Sequence, residues 1–282
     1  MEANGPISIN VSEVVRQRLG SRSRFVPAFV LRYLERLICQ DGLNGILRAV
    51  YPRRGADFCD GVMDVLGVRL DVSGEENLPR DSKVIIASNH PLGALDGIAM
   101  ISYFSRFYGK TTCFVVNDLL MSVEPLRDCF IPVNKLGAQS RRSAVSLDAA
   151  LAGYNPVMIY PAGLCSRMQP DGSIADLRWH KMFINKAIES RRDIVPVYFG
   201  GRNSSGFYRT AKWRQKLGIK FNFEMALLPR EIFRAKESVF TITIGKPVGW
   251  QTLEGGTHAA AEAAGLRELV YGLKDKQIID NG

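Results

Sequence analysis

Six short, largely apolar runs punctuate the chain: 67–72, KVIIAS (83–88), TCFVVN (112–117), PVMIYP (156–161), DIVPVYF (193–199) and VFTITIG (239–245). Their length and their Val and Ile content predict strands. Between them, apolar positions recur at helical spacing near 95–108, 140–153, 178–190 and 257–276. Buried strands alternating with helices predict an α/β fold, a largely parallel central sheet flanked by helices. In such sheets ligands bind beyond the carboxyl ends of the strands, so the polar groups that follow each run are where chemistry is to be sought.

The first 60 residues have a different pattern. Residues 1–24 are polar, with four arginines between Arg16 and Arg24, and predict a tail that frays or lies on a surface. In FVPAFVLRYLERLICQ (25–40), Pro27 suits a first helical turn. Val30, Leu31, Leu34, Leu37 and Ile38 then form one face, bordered by Phe29 and Tyr33, opposite Arg32, Glu35 and Arg36. A second helix is expected over 42–51. The division read from this pattern is a tail with an amphipathic helical pair over 1–60 and the α/β domain over 61–282. The pair either packs on that domain or dips into a bilayer interface; amphipathicity serves both.

No run of about 18 apolar residues occurs, so no membrane-spanning helix is expected. The N-terminus has no apolar segment of the kind that follows the start of a signal peptide, which points to a cytoplasmic chain. A hydrophobic content of 46% and a charged content of 23% exclude disordered and collagen-like classes. Five cysteines, without CxxC spacing, read as reduced thiols rather than a disulfide frame or a zinc site. The net charge of +9 attracts a polyanion: nucleic acid, an anionic membrane face or an acidic carrier protein.

Of three histidines, His90 closely follows the strand KVIIAS, in SNHPLGALDG. An imidazole at a strand's carboxyl end is placed to act as a general base near neutral pH. Asp96 can accept a hydrogen bond from the second ring nitrogen, fixing the tautomer. A substrate hydroxyl can then be the nucleophile, and no GxSxG elbow is present. The bland alternative is that Asn89 and His90 cap the helix after Pro91, with Asp96 in solvent. On one continuous helix, residues six apart point well away from each other, so contact requires His90 in the preceding loop, which Pro91 and Gly93 favour.

SNHPLGALDG resembles the NHxxxxD motif of the glycerophosphate and lysophosphatidic acid acyltransferase superfamily. Three further blocks follow in that family's order: FIPVNK (130–135), YPAGLCSR (160–167), similar to FPEGTRS, and IVPVYF (194–199). The resemblance implies an enzyme in which His90 and Asp96 activate a lysolipid hydroxyl against the thioester of acyl-carrier protein or acyl-CoA, with no cofactor. It implies acceptor head-group contacts at Lys135, Gly163, Ser166 and Arg167, and at Lys181, where the family carries a basic residue facing substrate. The five residues between His90 and Asp96 resemble the HPLGxLDG variant of a hemolysin-like branch that includes aminolipid O-acyltransferases. Ala162 stands where the family has a glutamate that serves the glycerol-phosphate acceptor, which favours an ornithine or glycine lipid over lysophosphatidic acid. Solvated surface cations remain the bland alternative for Lys135 and Arg167, and Cys165 is read as an inert core thiol.

Residues 202–220 carry six Lys and Arg and no acid, with Phe207, Tyr208 and Trp213 among them. Arg209, Lys212, Trp213, Arg214 and Lys216 are therefore candidates for docking on an anionic membrane surface, or else on acyl-carrier protein; nucleic acid is not expected. A plain solvated loop is the bland alternative. The whole reading is a peripheral acyltransferase on the cytoplasmic face of the inner membrane. Its rivals are a 1-acylglycerol-3-phosphate acyltransferase and a non-catalytic basic lipid-binding protein.

Overall fold

The computed structural model describes residues 8–280 other than 118, 119, 122, 134–137 and 220. The strands are β1 (Arg69–Ser73), β2 (Val84–Ser88), β3 (Cys113–Asn117), β4 (Phe130–Val133), β5 (Val157–Ile159), the short hairpin β6 (Arg167–Met168) and β7 (Ile174–Ala175), β8 (Asp193–Phe199) and β9 (Val239–Ile244). Seven of them form one sheet in the order β1-β9-β8-β2-β5-β3-β4. Only β8 and β9 pair antiparallel; the other neighbours are parallel. The expected α/β sandwich is therefore present.

Period-two alternation explains why the central strands are apolar at every position. Val84 and Ile86 of β2 enter one core with Phe58, Val62, Met100 and Phe104, from α4 (Gly55–Leu66) and α5 (Leu95–Tyr108). Ile85 and Ala87 enter the other core, with Leu151, Phe183 and Val270 from α6 (Ala138–Ala152), α7 (Met182–Ser190) and α10 (Ala259–Asp280). All five residues of β2 are buried. Each large aliphatic side chain enclosed this way contributes about 1.5–3 kcal/mol.

Before the sheet come α1 (Val11–Leu19), α2 (Ala28–Leu37), α3 (Gln40–Val50) and α4. The helical pair expected from the sequence is α2 and α3. The polar tail forms a helix after residue 10, because residues 9–13 are held. Asn10 accepts a hydrogen bond from the Glu13 N–H, capping α1. Gln40 accepts from the Val11 N–H, and Asn44 exchanges two bonds with the Ile9 backbone. The boundary drawn at 60/61 falls inside α4, whose Phe58, Cys59, Val62, Met63 and Leu66 belong to the main core. Phe25, Phe29 and Tyr33 remain exposed at 72%, 67% and 63%. No helix among the described residues is long and apolar enough to cross a membrane.

Arg192, just before β8, is fully buried and ties three elements together. Its guanidinium donates to the carbonyls of Leu151 and Gly153 at the end of α6, Asn155 before β5 and Val84 of β2, at 2.7–3.1 Å. The cation thus satisfies the carbonyls a helix leaves unpaired at its negative end. Arg192→Met is expected to destabilise the fold by about 3 kcal/mol, because those buried acceptors lose their donor. Urea unfolding monitored by tryptophan fluorescence checks this; a midpoint unchanged from wild type would contradict it.

Candidate active site

Strand β2 is central, with β8 on one side and β5 on the other, and all three run parallel where they meet. Their carboxyl ends therefore deliver residues 89–94, residues 160–167 and the end of β8 to one place. Asn89 fixes the first of these. Its amide donates to the Phe199 carbonyl at 2.9 Å and its oxygen accepts the Phe199 N–H at 2.7 Å, continuing the β2–β8 pairing by a side chain. It is not a helix cap: α5 starts at Leu95, with Ala94 in the cap position.

The loop carries His90 toward the start of α5, and Gly93 makes the turn at φ +81°. A Cβ there would lie 2.9 Å from Leu228 and 3.1 Å from Cys165, so both conformation and space demand glycine. Asp96, in the first turn of α5, is fully buried. Its Oδ2 lies 2.9 Å from His90 Nδ1 and accepts the N–H groups of Leu92 at 2.9 Å and Gly93 at 3.3 Å. Its Oδ1 accepts the Gly97 N–H at 2.9 Å. A carboxylate can only accept, so the contact assigns a proton to Nδ1 and leaves Nε2 as the nitrogen that can take one. The His90 ring also stacks on Tyr160, centroids 3.8 Å apart and planes 19° from parallel.

A second buried carboxylate holds the same loop from below. Asp176 Oδ1 accepts the His90 N–H at 3.2 Å and the Ser166 hydroxyl at 2.6 Å, and Oδ2 accepts the Trp179 indole N–H at 3.0 Å. The Ser166 N–H donates to the His90 carbonyl at 2.7 Å. Burial pushes the Asp176 carboxyl above its usual range, against the lowering by these hydrogen bonds. In this region the sequence singles out Lys181 but not Asp176. An isolated acid beside the apolar Ile174 and Ala175 was the available signal for Asp176.

The structure places the other candidates as follows. Gly163 is exposed in the turn after β5, with φ +67° and its N–H on the Tyr160 carbonyl. Arg167 is buried: one amino group of its guanidinium donates to the Cys165 carbonyl at 2.9 Å, and the other lies 3.0 Å from Glu224. The same Glu224 takes Arg214 at 2.8 Å. Arg167 therefore faces an internal carboxylate, and Arg214 is turned into the protein rather than toward a docking partner. A lone acid following the acid-free run 202–220 was the sequence signal for Glu224. Lys181 is exposed, its ammonium 3.3 Å from the Gly256 carbonyl. Lys135 lies outside the described residues. Ala162 is buried in the core with Trp179 and Phe183. Burial pushes the Cys165 thiol up to about 11, so it is no nucleophile near neutral pH. Among the described residues, no cluster of His, Cys, Asp or Glu could hold a metal.

Beneath the His90 loop lies a cavity of about 390 Å³, lined by Leu92, Leu95, Asn203, Tyr208, Phe240 and Arg202 among others. Arg202, Arg234 and Glu231 stand in the same lining, so apolar and charged groups share the cavity wall.

Residues 13–281 match the acyltransferase family. The chain is 40% identical over 265 residues to a lyso-glycine lipid O-acyltransferase of Phocaeicola vulgatus, covering 94% of this chain and 95% of that one. It is 39% identical over 265 residues to a lyso-glycine lipid O-acyltransferase of Bacteroides thetaiotaomicron, covering 94% and 97%. It also matches the crystal structure of the 1-acyl-sn-glycerophosphate acyltransferase of Thermotoga maritima, with a TM-score of 0.47 and 14% identity over 88% of this chain and 92% of that one. The chain belongs to the acyltransferase family.

His90→Ala is expected to lower acyl transfer by about 10³-fold or more with folding intact, and Asp96→Asn by roughly 10²–10⁴-fold. Steady-state assays paired with circular dichroism decide this, and a His90→Ala enzyme near wild-type rate would remove the base. Asp176→Ala strips the acceptor from Ser166, Trp179 and the His90 N–H. It is expected to cost roughly 2–4 kcal/mol in thermal or urea unfolding, as buried unpaired donors do.

Proposed function

As a member of the acyltransferase family, this chain, we propose, transfers a fatty acyl group from an acyl thioester to the hydroxyl of a lyso-aminolipid of the glycine lipid type. The observation that carries the reading is the His90–Asp96 dyad: a 2.9 Å hydrogen bond on Nδ1 leaves Nε2 as a base in a loop at the sheet's carboxyl edge. His90 Nε2 takes the proton as the acceptor hydroxyl oxygen attacks the thioester carbonyl. The tetrahedral intermediate collapses with cleavage of the C–S bond, and the leaving thiolate recovers the proton from the imidazolium. Asp96 stabilises that imidazolium and keeps the ring from turning.

Identity of 39–40% across nearly the full chain with two lyso-glycine lipid O-acyltransferases supports the acceptor class. So does Ala162, buried and unable to hydrogen-bond a glycerol hydroxyl. The donor is acyl-carrier protein or acyl-CoA, each an anionic partner for a chain of net charge +9. The same charge suits work at an anionic lipid surface, from the cytoplasmic face of the inner membrane.

Purified protein incubated with a labelled acyl thioester is expected to acylate lyso-glycine lipid with a kcat/KM at least about tenfold above that for lysophosphatidic acid. Preference for lysophosphatidic acid would overturn the acceptor class. Absence of transfer to both acceptors, from either donor, would overturn the enzymatic reading of the dyad.

A further inference from the structure

The acid-free stretch singled out in the sequence is a helix, α8 (Ser205–Lys216), capped by the Ser204 hydroxyl on the Phe207 N–H at 3.3 Å. Its inner face is Phe207, Tyr208, Ala211 and Arg214, all buried. At the complementary helical spacing, Arg209, Lys212, Trp213 and Lys216 are exposed. The chain beyond continues that face with large apolar side chains in water: Trp213 is 67% exposed, Leu217 66% and Phe221 77%, with Phe223 at 39%. A shallow groove crosses the patch, lined by Arg209, Thr210, Trp213, Leu217 and Phe223. A monomer does not leave such a row uncovered without cause.

We propose that this face, Arg209 to Phe223, is the surface by which the protein docks on a bilayer containing anionic lipid. The inference rests on the proposed acylation of a lipid acceptor and adds where the enzyme meets it. Two features choose a bilayer over an acidic carrier protein. Cations alone suffice for a carrier, whereas Trp213, Leu217, Phe221 and Phe223 need an apolar medium. Tryptophan beside Lys and Arg is also the combination that sits at head-group level. The residues 202–219 contain no acid, so nothing on the patch repels an anionic surface.

The patch is held to the site rather than loosely appended. Arg214, from the inner face of α8, binds Glu224, and Glu224 binds Arg167 of the segment YPAGLCSR. Four residues on, Leu228 packs against Gly93 of the His90 loop. A protein seated on this face therefore presents residues 223–228 between the bilayer and the His90 loop.

The test uses the full chain with two variants confined to exposed side chains, Trp213→Ser with Leu217→Ser and Phe221→Ser, and Arg209→Glu with Lys212→Glu and Lys216→Glu. Binding to phosphatidylcholine vesicles containing phosphatidylglycerol is measured by sedimentation, and turnover is compared on vesicle-embedded and detergent-dispersed acceptor. Each variant is expected to lose about tenfold or more in vesicle affinity. The ratio of vesicle to detergent turnover is expected to fall with it, and wild-type binding is expected to weaken as salt rises. Vesicle binding equal to wild type in both variants would overturn the proposal. So would intact vesicle binding with a raised KM for acyl-carrier protein, which would make the face a carrier dock. Loss of binding only on replacing Phe25 and Phe29 by Ser would assign the anchor to the N-terminal helices and overturn it equally. Vesicle binding without acyl transfer to any acceptor would instead sink the functional reading and leave the docking face standing.

Discussion

A carboxylate shut away from water must be satisfied by the protein around it, and at Asp96 that requirement shapes the whole site. Four donors converge on it: the His90 ring and the N–H groups of Leu92, Gly93 and Gly97. Two of those N–H groups lie in the loop that carries His90, so the loop must fold back over the start of α5 to supply them. Folding back is what forces a positive φ on Gly93 and packs it against Leu228 and Cys165. The same bond that neutralises the cost of burying Asp96 sets which nitrogen of His90 is the base. Stability of the loop and readiness for proton transfer are here one arrangement.

The sheet makes this arrangement reachable. Strand β2 lies between β8 and β5, and each neighbour contributes one restraint on the loop that leaves it. Phe199, at the end of β8, grips Asn89; Tyr160, after β5, stacks on His90. Asp176 closes the third side through Ser166 and Trp179. The block YPAGLCSR thus works largely as a clamp on His90. Its arginine, Arg167, is drawn inward by Glu224 rather than held out for an acceptor.

Much of this was legible beforehand. All six expected strands form; the central run of β2 is buried on both faces, whereas the edge strand β1 has no fully buried position. The helical pair before the sheet was readable from its apolar stripe, and the need for His90 to stand in a loop followed from the 100° step of a helix. The helix α1 was not readable, since its four apolar residues are interspersed with charged and polar ones and what holds its start is a pair of distant amides, Gln40 and Asn44. Nor was the inward turn of Arg214: the cations two residues to either side of it, Lys212 and Lys216, are exposed, and only the position of Glu224 distinguishes it.

What the sequence determined by itself was everything carried by local pattern. That covers strand and helix identity through hydrophobic period, the loop at Pro91 and Gly93, and the motif spacing that marks His90 and Asp96. What only the tertiary structure decided was partnership at long range. Asp176 meets His90 across 86 residues and Asn89 meets Phe199 across 110. Arg167 meets Glu224 across 57. The reason is physical. A period is written in neighbouring residues, whereas the choice of partner for a buried charge depends on which strand ends the sheet order brings together.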